Sequence, residues 1–279
     1  IVNSVTGLPY FVLSQSKAGV RGVAREAALK WYSWALSGND VCPMFQNEDD
    51  LSVIAASNQS VRDQAVSTRG SGVDLSRFQT VTESMVAPDE LVVTFVGRLI
   101  REKGIYEFVE AARTVLSQTT RRIRFVVCGE VDSGNRSAVP QATLDAWRSI
   151  SGLEFHGHVA DVRTVLEQSH LVVLPSYREG TPRALLEAGA CGLPIIATDV
   201  PGCREVVVDR ENGLLVPAKD SRALADAVTE LTSDWLLMRK FGRAGRSRVQ
   251  TLFDERLVID ATLDVYDRLL GVQQSAVAA

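Results

Sequence analysis

Two kinds of apolar pattern alternate along the chain. Leu91-Val92-Val93-Thr94-Phe95-Val96, Ile123–Cys128, Leu171-Val172-Val173-Leu174 and Pro194–Thr198 are apolar at nearly every position. Such runs mark strands covered on both faces, as in a parallel sheet. Between and after them apolar residues recur at helical spacing, predicting helices over about Tyr106–Leu116, Val139–Ser149, Asp161–Gln168, Ser221–Thr232, Asp234–Thr251 and Phe253–Leu270. Shorter signals add strands at Leu153–His156 and Gly213–Val216 and a helical turn at Gly202–Val207. The first part of the chain repeats the alternation: strand Ile1–Val5, turn Thr6-Gly7-Leu8-Pro9, helix from about Lys17 to Leu36, strand Val41–Gln46, and a helix capped at Asn47-Glu48-Asp49-Asp50 that runs to about Ser57. This order predicts an α/β fold of parallel, doubly wound sheets. A polar stretch at 79–90, containing Pro88, reads as a domain boundary. The expected organisation is a partial N-terminal domain at 1–78, a second domain at 79–252, and a closing helix in 253–279 that packs back toward the N-terminal part. The tail from Gln273 is expected to fray. Ile1–Val5 reads as a strand already under way, so the first sheet is expected to be incomplete.

One stretch concentrates the chemistry. After the strand at Leu171–Leu174 come Arg178-Glu179-Gly180-Thr181-Pro182-Arg183-Ala184-Leu185-Leu186-Glu187-Ala188. Thr181 suits an N-cap and Pro182 the first helical position. The free amides of Arg183 and Ala184 then make an anion site at the carboxyl end of a strand. Glu187 is set among Ala184, Leu185, Leu186, Ala188 and Ala190, on a helix that reads as buried nearly all round. A solvated helix carboxylate is the alternative, and those neighbours argue against it, because a buried carboxylate needs a partner. Arg98 and Lys103 follow the strand at Leu91–Val96 and can supply two fixed cations; two solvated surface charges are the other reading. Arg98, Lys103, Gly129, Val159, Glu179 and Glu187 all fall after strands, where open α/β sheets bind ligands.

Composition narrows the field. The 279 residues are 46% hydrophobic and 23% charged with a net charge of −4, so no basic field points to nucleic acid. Cys42, Cys128, Cys191 and Cys203 show no C-x-x-C spacing and read as reduced, buried thiols of a cytosolic protein. His156, His158 and His170 are too few and too poorly spaced for a metal site, and no metal is expected. No apolar run reaches the ~20 residues of a membrane span. The first helix sets Lys17, Arg21, Arg25 and Lys30 beside Trp31, Tyr32 and Trp34. That pattern suits a peripheral membrane surface, or a solvated basic side with its aromatics in the core.

Glu179 and Glu187, followed by Ala188-Gly189-Ala190-Cys191-Gly192-Leu193-Pro194, resemble the E-x7-E signature of GT-B glycosyltransferases of the GT4-like retaining family. The resemblance continues in Gly97-Arg98-Leu99 with Lys103-Gly104, in Gly70-Ser71-Gly72-Val73-Asp74, and in Thr198-Asp199-Val200-Pro201-Gly202-Cys203-Arg204-Glu205. It implies two Rossmann-like domains, the N-terminal one truncated, and a sugar moved from a nucleotide donor, UDP in this flavour of motif. The implied acceptor is a glycan or polyprenyl-diphosphate-linked sugar of bacterial surface polysaccharide, met in the cytoplasm or at the cytoplasmic face of the membrane. By resemblance Glu187 accepts from the ribose hydroxyls, Glu179, Gly180, Thr181, Pro182 and Arg183 hold the sugar and diphosphate, and Val159 meets the base through its main chain. Arg98 and Lys103 take the diphosphate without a metal or further cofactor, and Glu179 orients the sugar and balances oxocarbenium charge. The family is described as reacting on one face of the sugar, the leaving phosphate deprotonating the acceptor. Thr6 stands where relatives often carry histidine. A non-catalytic nucleotide-sugar-binding fragment and a GT-B epimerase are the competing readings.

Overall fold

The computed structural model describes residues 1–6, 8, 12, 19–38, 40–80 and 87–271. Gly7 and Pro9 of the expected turn, Lys17, part of the 79–90 stretch and the tail from Gln273 lie outside these residues. The chain divides into two compact units, Ile1–Gly72 with Phe253–Ala279, and Val73–Leu252.

The first unit carries a three-stranded parallel sheet of β1 (Val2–Val5), β2 (Cys42–Phe45) and β3 (Val66–Ser67), in that order. Helix α1 (Gly19–Ala35) connects β1 to β2, and α2 (Glu48–Ala55) and α3 (Gln59–Gln64) connect β2 to β3. Asn47 caps α2 by accepting the Asp50 amide at 2.8 Å. Neither α3 nor β3 was expected: Gln59–Gln64 is short and polar, and a two-residue strand leaves no periodic signal. In α1, Leu29 is buried and Tyr32 packs against the core, whereas Trp31 and Trp34 are 60% and 73% exposed. The two tryptophans are therefore not the core aromatics that one reading of this helix allowed. The last helix, α11 (Glu255–Leu270), belongs to this unit, and Arg268 Nη2 lies 2.9 Å from Cys42 Sγ.

The second unit is a six-stranded, all-parallel sheet. Its strands are β4 (Glu90–Val96), β5 (Arg122–Cys128), β6 (Leu153–Gly157), β7 (Leu171–Leu174), β8 (Ile195–Thr198) and β9 (Gly213–Val216), in the order β6-β5-β4-β7-β8-β9. The helices are α4 (Ile105–Gln118), α5 (Gln141–Arg148), α6 (Arg163–Leu166), α7 (Arg183–Ala190), α8 (Pro201–Val206), α9 (Ser221–Ser233) and α10 (Trp235–Leu252). Side-chain alternation clothes both faces of the sheet. Phe95 and Phe125 meet Phe108 of α4, with ring centroids 5.4 and 5.7 Å apart, while Val92, Val126 and Cys128 pack with Val165 of α6 on the other face. Val73 and Phe78 are buried, and Arg246 of α10 donates to the Phe78 carbonyl at 2.7 Å. Residues 73–78 accordingly pack with the second unit, whereas the polarity after residue 78 had set the sequence boundary. Among the described residues no helix is long and apolar enough to cross a membrane.

The Phe95–Phe108–Phe125 stack is the centre of this unit's core. Phe125→Ala is expected to cost about 3–5 kcal/mol. Urea unfolding should show an earlier midpoint at an unchanged slope.

Candidate active site

The strand order reverses between β4 and β7, both of which run in the same direction. In a parallel sheet the loops leaving two such strands diverge to opposite faces and open a crevice. Here these are the turn Gly97–Gly104 and the loop Pro175–Pro182. They are pressed together at the backbone. Gly104 has φ +73°, and a Cβ on it would come within 1.9 Å of the Pro175 carbonyl oxygen. The Tyr177 amide donates to Glu102 O at 2.8 Å, and Tyr177 Oη donates to Glu107 of α4 at 2.7 Å. Burial and the Glu107 carboxylate push the Tyr177 phenol up to about 12, which keeps it a donor. On the far side of the loop, a Cβ on Gly202 of α8 would stand 1.6 Å from Gly180 O.

This packing brings Lys103 and Glu179 together. Lys103 Nζ donates to Glu179 Oε1 at 2.5 Å and Ser176 Oγ donates to the same oxygen at 2.6 Å. The side chains are 23% and 10% exposed, so the pair is largely withdrawn from water. Among the described residues Oε2 of Glu179 has no hydrogen-bond partner. Arg98 takes a different carboxylate: its Nη1 lies 2.8 Å from Asp132 Oδ2, and its side chain is 59% exposed. An exposed pair of this kind is worth ~1 kcal/mol or less, so Arg98 exchanges partners easily.

Helix α7 begins one residue later than expected. Pro182 has ψ 115° and occupies the N-cap position without a side-chain cap, and its carbonyl accepts from the Leu185 and Leu186 amides. Thr181 is buried in the loop and does not cap the helix. With ψ extended, Pro182 is the last non-helical residue, so helical backbone begins at Arg183 and the cap moves from Thr181 to Pro182. Arg183 and Ala184 remain the first-turn amides. Glu187 lies one turn along, 12% exposed, with Arg183 Nη2 at 3.5 Å. Val159, two residues beyond β6, is half-buried against Val92, Val126, Cys128 and Val165. All the expected site residues, Arg98, Lys103, Val159, Glu179, Gly180, Thr181, Pro182, Arg183 and Glu187, lie in the second unit. Ser176, Tyr177 and Asp132, which hold or compete for these groups, were not foreseen. Ser176 and Tyr177 adjoin the motif; Ser176 reaches Glu179 three residues on, whereas the partners of Tyr177, Glu102 and Glu107, lie far along the chain.

A family model described as "Glycosyl transferases group 1" matches residues 79–248, more than half of the chain. The chain belongs to this family. Over 205 residues the group 1 chain is 25% identical to the capsular polysaccharide biosynthesis glycosyltransferase CapM of Staphylococcus aureus, covering 71% of this chain and 53% of CapM. Over 180 residues it is 29% identical to the N,N'-diacetylbacillosaminyl-diphospho-undecaprenol alpha-1,3-N-acetylgalactosaminyltransferase of Campylobacter jejuni, covering 64% of this chain and 45% of that protein. The chain spans about half the length of these relatives. The crystal structure of Anabaena HepE in complex with UDP superposes with a TM-score of 0.76 over 97% of this chain and 72% of its own, at 17% identity. At that identity the likeness speaks for the fold, which is the GT-B fold of Rossmann-like domains.

Two measurements probe this group 1 site. Burial raises the Glu187 carboxyl above its ordinary value, and the charges of Arg183 and Arg77 pull it partly back. A carboxyl raised by folding stabilises the fold below its unfolded pKa and loses that contribution as pH rises through its folded value. Glu187→Gln should therefore melt higher than the parent at about pH 7, the gap closing as pH falls toward about 4. The Lys103–Glu179 pair calls for a double-mutant cycle. Lys103→Met alone leaves a withdrawn carboxylate uncompensated and should cost about 2 kcal/mol in urea unfolding, part of which Lys103→Met/Glu179→Gln recovers.

Proposed function

We propose that this group 1 chain binds a UDP-sugar at the crevice between the Gly97–Gly104 turn and the Pro175–Pro182 loop. The sugar is passed with retention to a glycan or polyprenyl-diphosphate-linked acceptor in surface polysaccharide synthesis. The observation that carries the reading is the convergence of Lys103, Glu179 and the first turn of α7 at one strand-order reversal, inside the matched segment. Cations and free helix amides at that place suit a diphosphate. Lys103 and Arg98 act as the fixed positive charges without a metal, exchanging Glu179 and Asp132 for phosphate oxygens. Glu187 is an acceptor-only group when ionised and takes the ribose hydroxyls. Val159 meets the base. Glu179 orients the sugar and offsets positive charge as the glycosidic bond lengthens. The names of the relatives support the polysaccharide setting and the diphospho-undecaprenol acceptor, and the UDP in HepE supports the base. The exposed Trp31 and Trp34 of α1 support contact with a cytoplasmic membrane surface.

A ligand at about a hundred times its Kd stabilises the state it binds by about 2.7 kcal/mol. UDP should accordingly raise the melting temperature of the parent chain, and Glu187→Ala or Arg98→Ala should abolish the rise. Equal shifts in parent and variants would refute the reading. The matched segment leaves out residues 1–78, the expected acceptor side, which favours a second reading in which the chain holds a nucleotide sugar without transferring it. Sugar release from a UDP-sugar, assayed with and without a lipid-linked acceptor, separates the two.

A further inference from the structure

Glu179 receives two hydrogen bonds on one oxygen, and the two donors are unlike. Lys103 Nζ reaches Oε1 at 2.5 Å and Ser176 Oγ reaches it at 2.6 Å. Lys103 is a cation on a flexible stem, with 23% of its side chain exposed. Ser176 is neutral and fully buried. Both polar groups of the peptide that joins Ser176 to Tyr177 are engaged. The Thr198 hydroxyl, at the end of β8, donates to the Ser176 carbonyl, and the Tyr177 amide donates to Glu102 O at 2.8 Å. Thr198 is itself buried. The Ser176 hydroxyl is therefore carried on a backbone fixed by β8 on one side and by the Gly97–Gly104 turn on the other.

The two donors respond differently to a diphosphate. A polyanion competes with a single carboxylate for the Lys103 ammonium, and exchange of Glu179 for phosphate oxygens is the role given to Lys103 above. A neutral hydroxyl on a clamped peptide feels far less of that pull. Once Lys103 has turned away, Glu179 is a largely withdrawn carboxylate whose remaining donor among the described residues is Ser176. Without that donor the ionised form is disfavoured, and the group takes a proton or turns toward water.

We propose that Ser176 is the positioning residue of Glu179: it holds Oε1 in place when Lys103 leaves for the diphosphate, and so keeps Glu179 ionised with Oε2 available to the donor sugar. Ser176 acts through Glu179 and does not itself meet the reacting atoms. This deepens the donor-site reading and rests on it.

Calorimetric titration with UDP, repeated in buffers of different ionisation heat between about pH 5 and 8, counts the protons taken up on binding. The proteins are the parent chain, Ser176→Ala, Ser176→Cys and Ser176→Ala/Glu179→Gln, with inorganic pyrophosphate as a second ligand. Titration of the ligand's own phosphate and of Glu187 is common to all of them, so the differences between proteins carry the result. Cys203 of α8 also senses the Glu179 charge, but its thiol, pushed up to about 12 chiefly by burial, stays protonated throughout. Ser176→Ala should take up about half a proton more than the parent near pH 6, because a desolvated carboxylate without a donor titrates in that region. Ser176→Cys, close in size but a weak donor, should follow it and is read in its place should the alanine variant not fold. The double variant should return to the parent's count. Before ligand is added Lys103 still compensates Glu179, so both single variants should melt within a few degrees of the parent. Equal uptake in the parent and the single variants overturns the proposal, as does extra uptake that survives Glu179→Gln. A parent chain that binds neither UDP nor pyrophosphate overturns the donor-site reading itself.

Discussion

The site depends on one backbone contact, the approach of the turn after β4 to the loop after β7. Gly104 in a left-handed conformation leaves no room for a side chain against the Pro175 carbonyl. Without that approach Lys103 could not reach Glu179, and the Tyr177 amide would lose Glu102 O. Gly202 closes the loop from the other side with the same economy of space. A loop held at both ends presents its polar groups in a fixed arrangement, as the proposed diphosphate site would need, because donors already in place need no reorganisation when charge develops.

The two glutamates of the signature are handled by different means. Glu179 is withdrawn from water but compensated by Lys103 and Ser176 on a single oxygen. Glu187 is nearly as withdrawn, and its nearest charge is an exposed arginine at 3.5 Å. Burial therefore dominates at Glu187 and raises its carboxyl. A carboxylate with so few partners has acceptor capacity left for ligand hydroxyls, whereas Glu179 has part of its capacity occupied by the protein. One spacing in the chain thus yields two chemically distinct acids, distinguished by what folds over them.

The two units differ in how well their patterns could be read. In the second unit the inner strands are buried on both faces, so their apolar runs are continuous, and the strand limits were close to those found: Leu91–Val96 against Glu90–Val96, and Gly213–Val216 as found. In the first unit the segments are shorter and less apolar. Gln59–Gln64 and Val66–Ser67 went unrecognised because their order comes from packing and from one neighbouring strand. Trp31 and Trp34 show the converse limit, since helical spacing places them on a face without saying whether that face is covered.

The sequence by itself determined the alternation of parallel strands and helices, the family signature, and the list of groups that end on the carboxyl side of the sheet. These follow from local pattern, since periodicity and glycine placement are properties of consecutive residues. The tertiary structure alone decided the partners: Lys103 with Glu179, Arg98 with Asp132, and the cap at Pro182 in place of Thr181. Ion pairs and burial depend on which loops the strand order brings side by side. The order β6-β5-β4-β7-β8-β9 puts residues some seventy positions apart within hydrogen-bond reach, and no window along the chain contains that information.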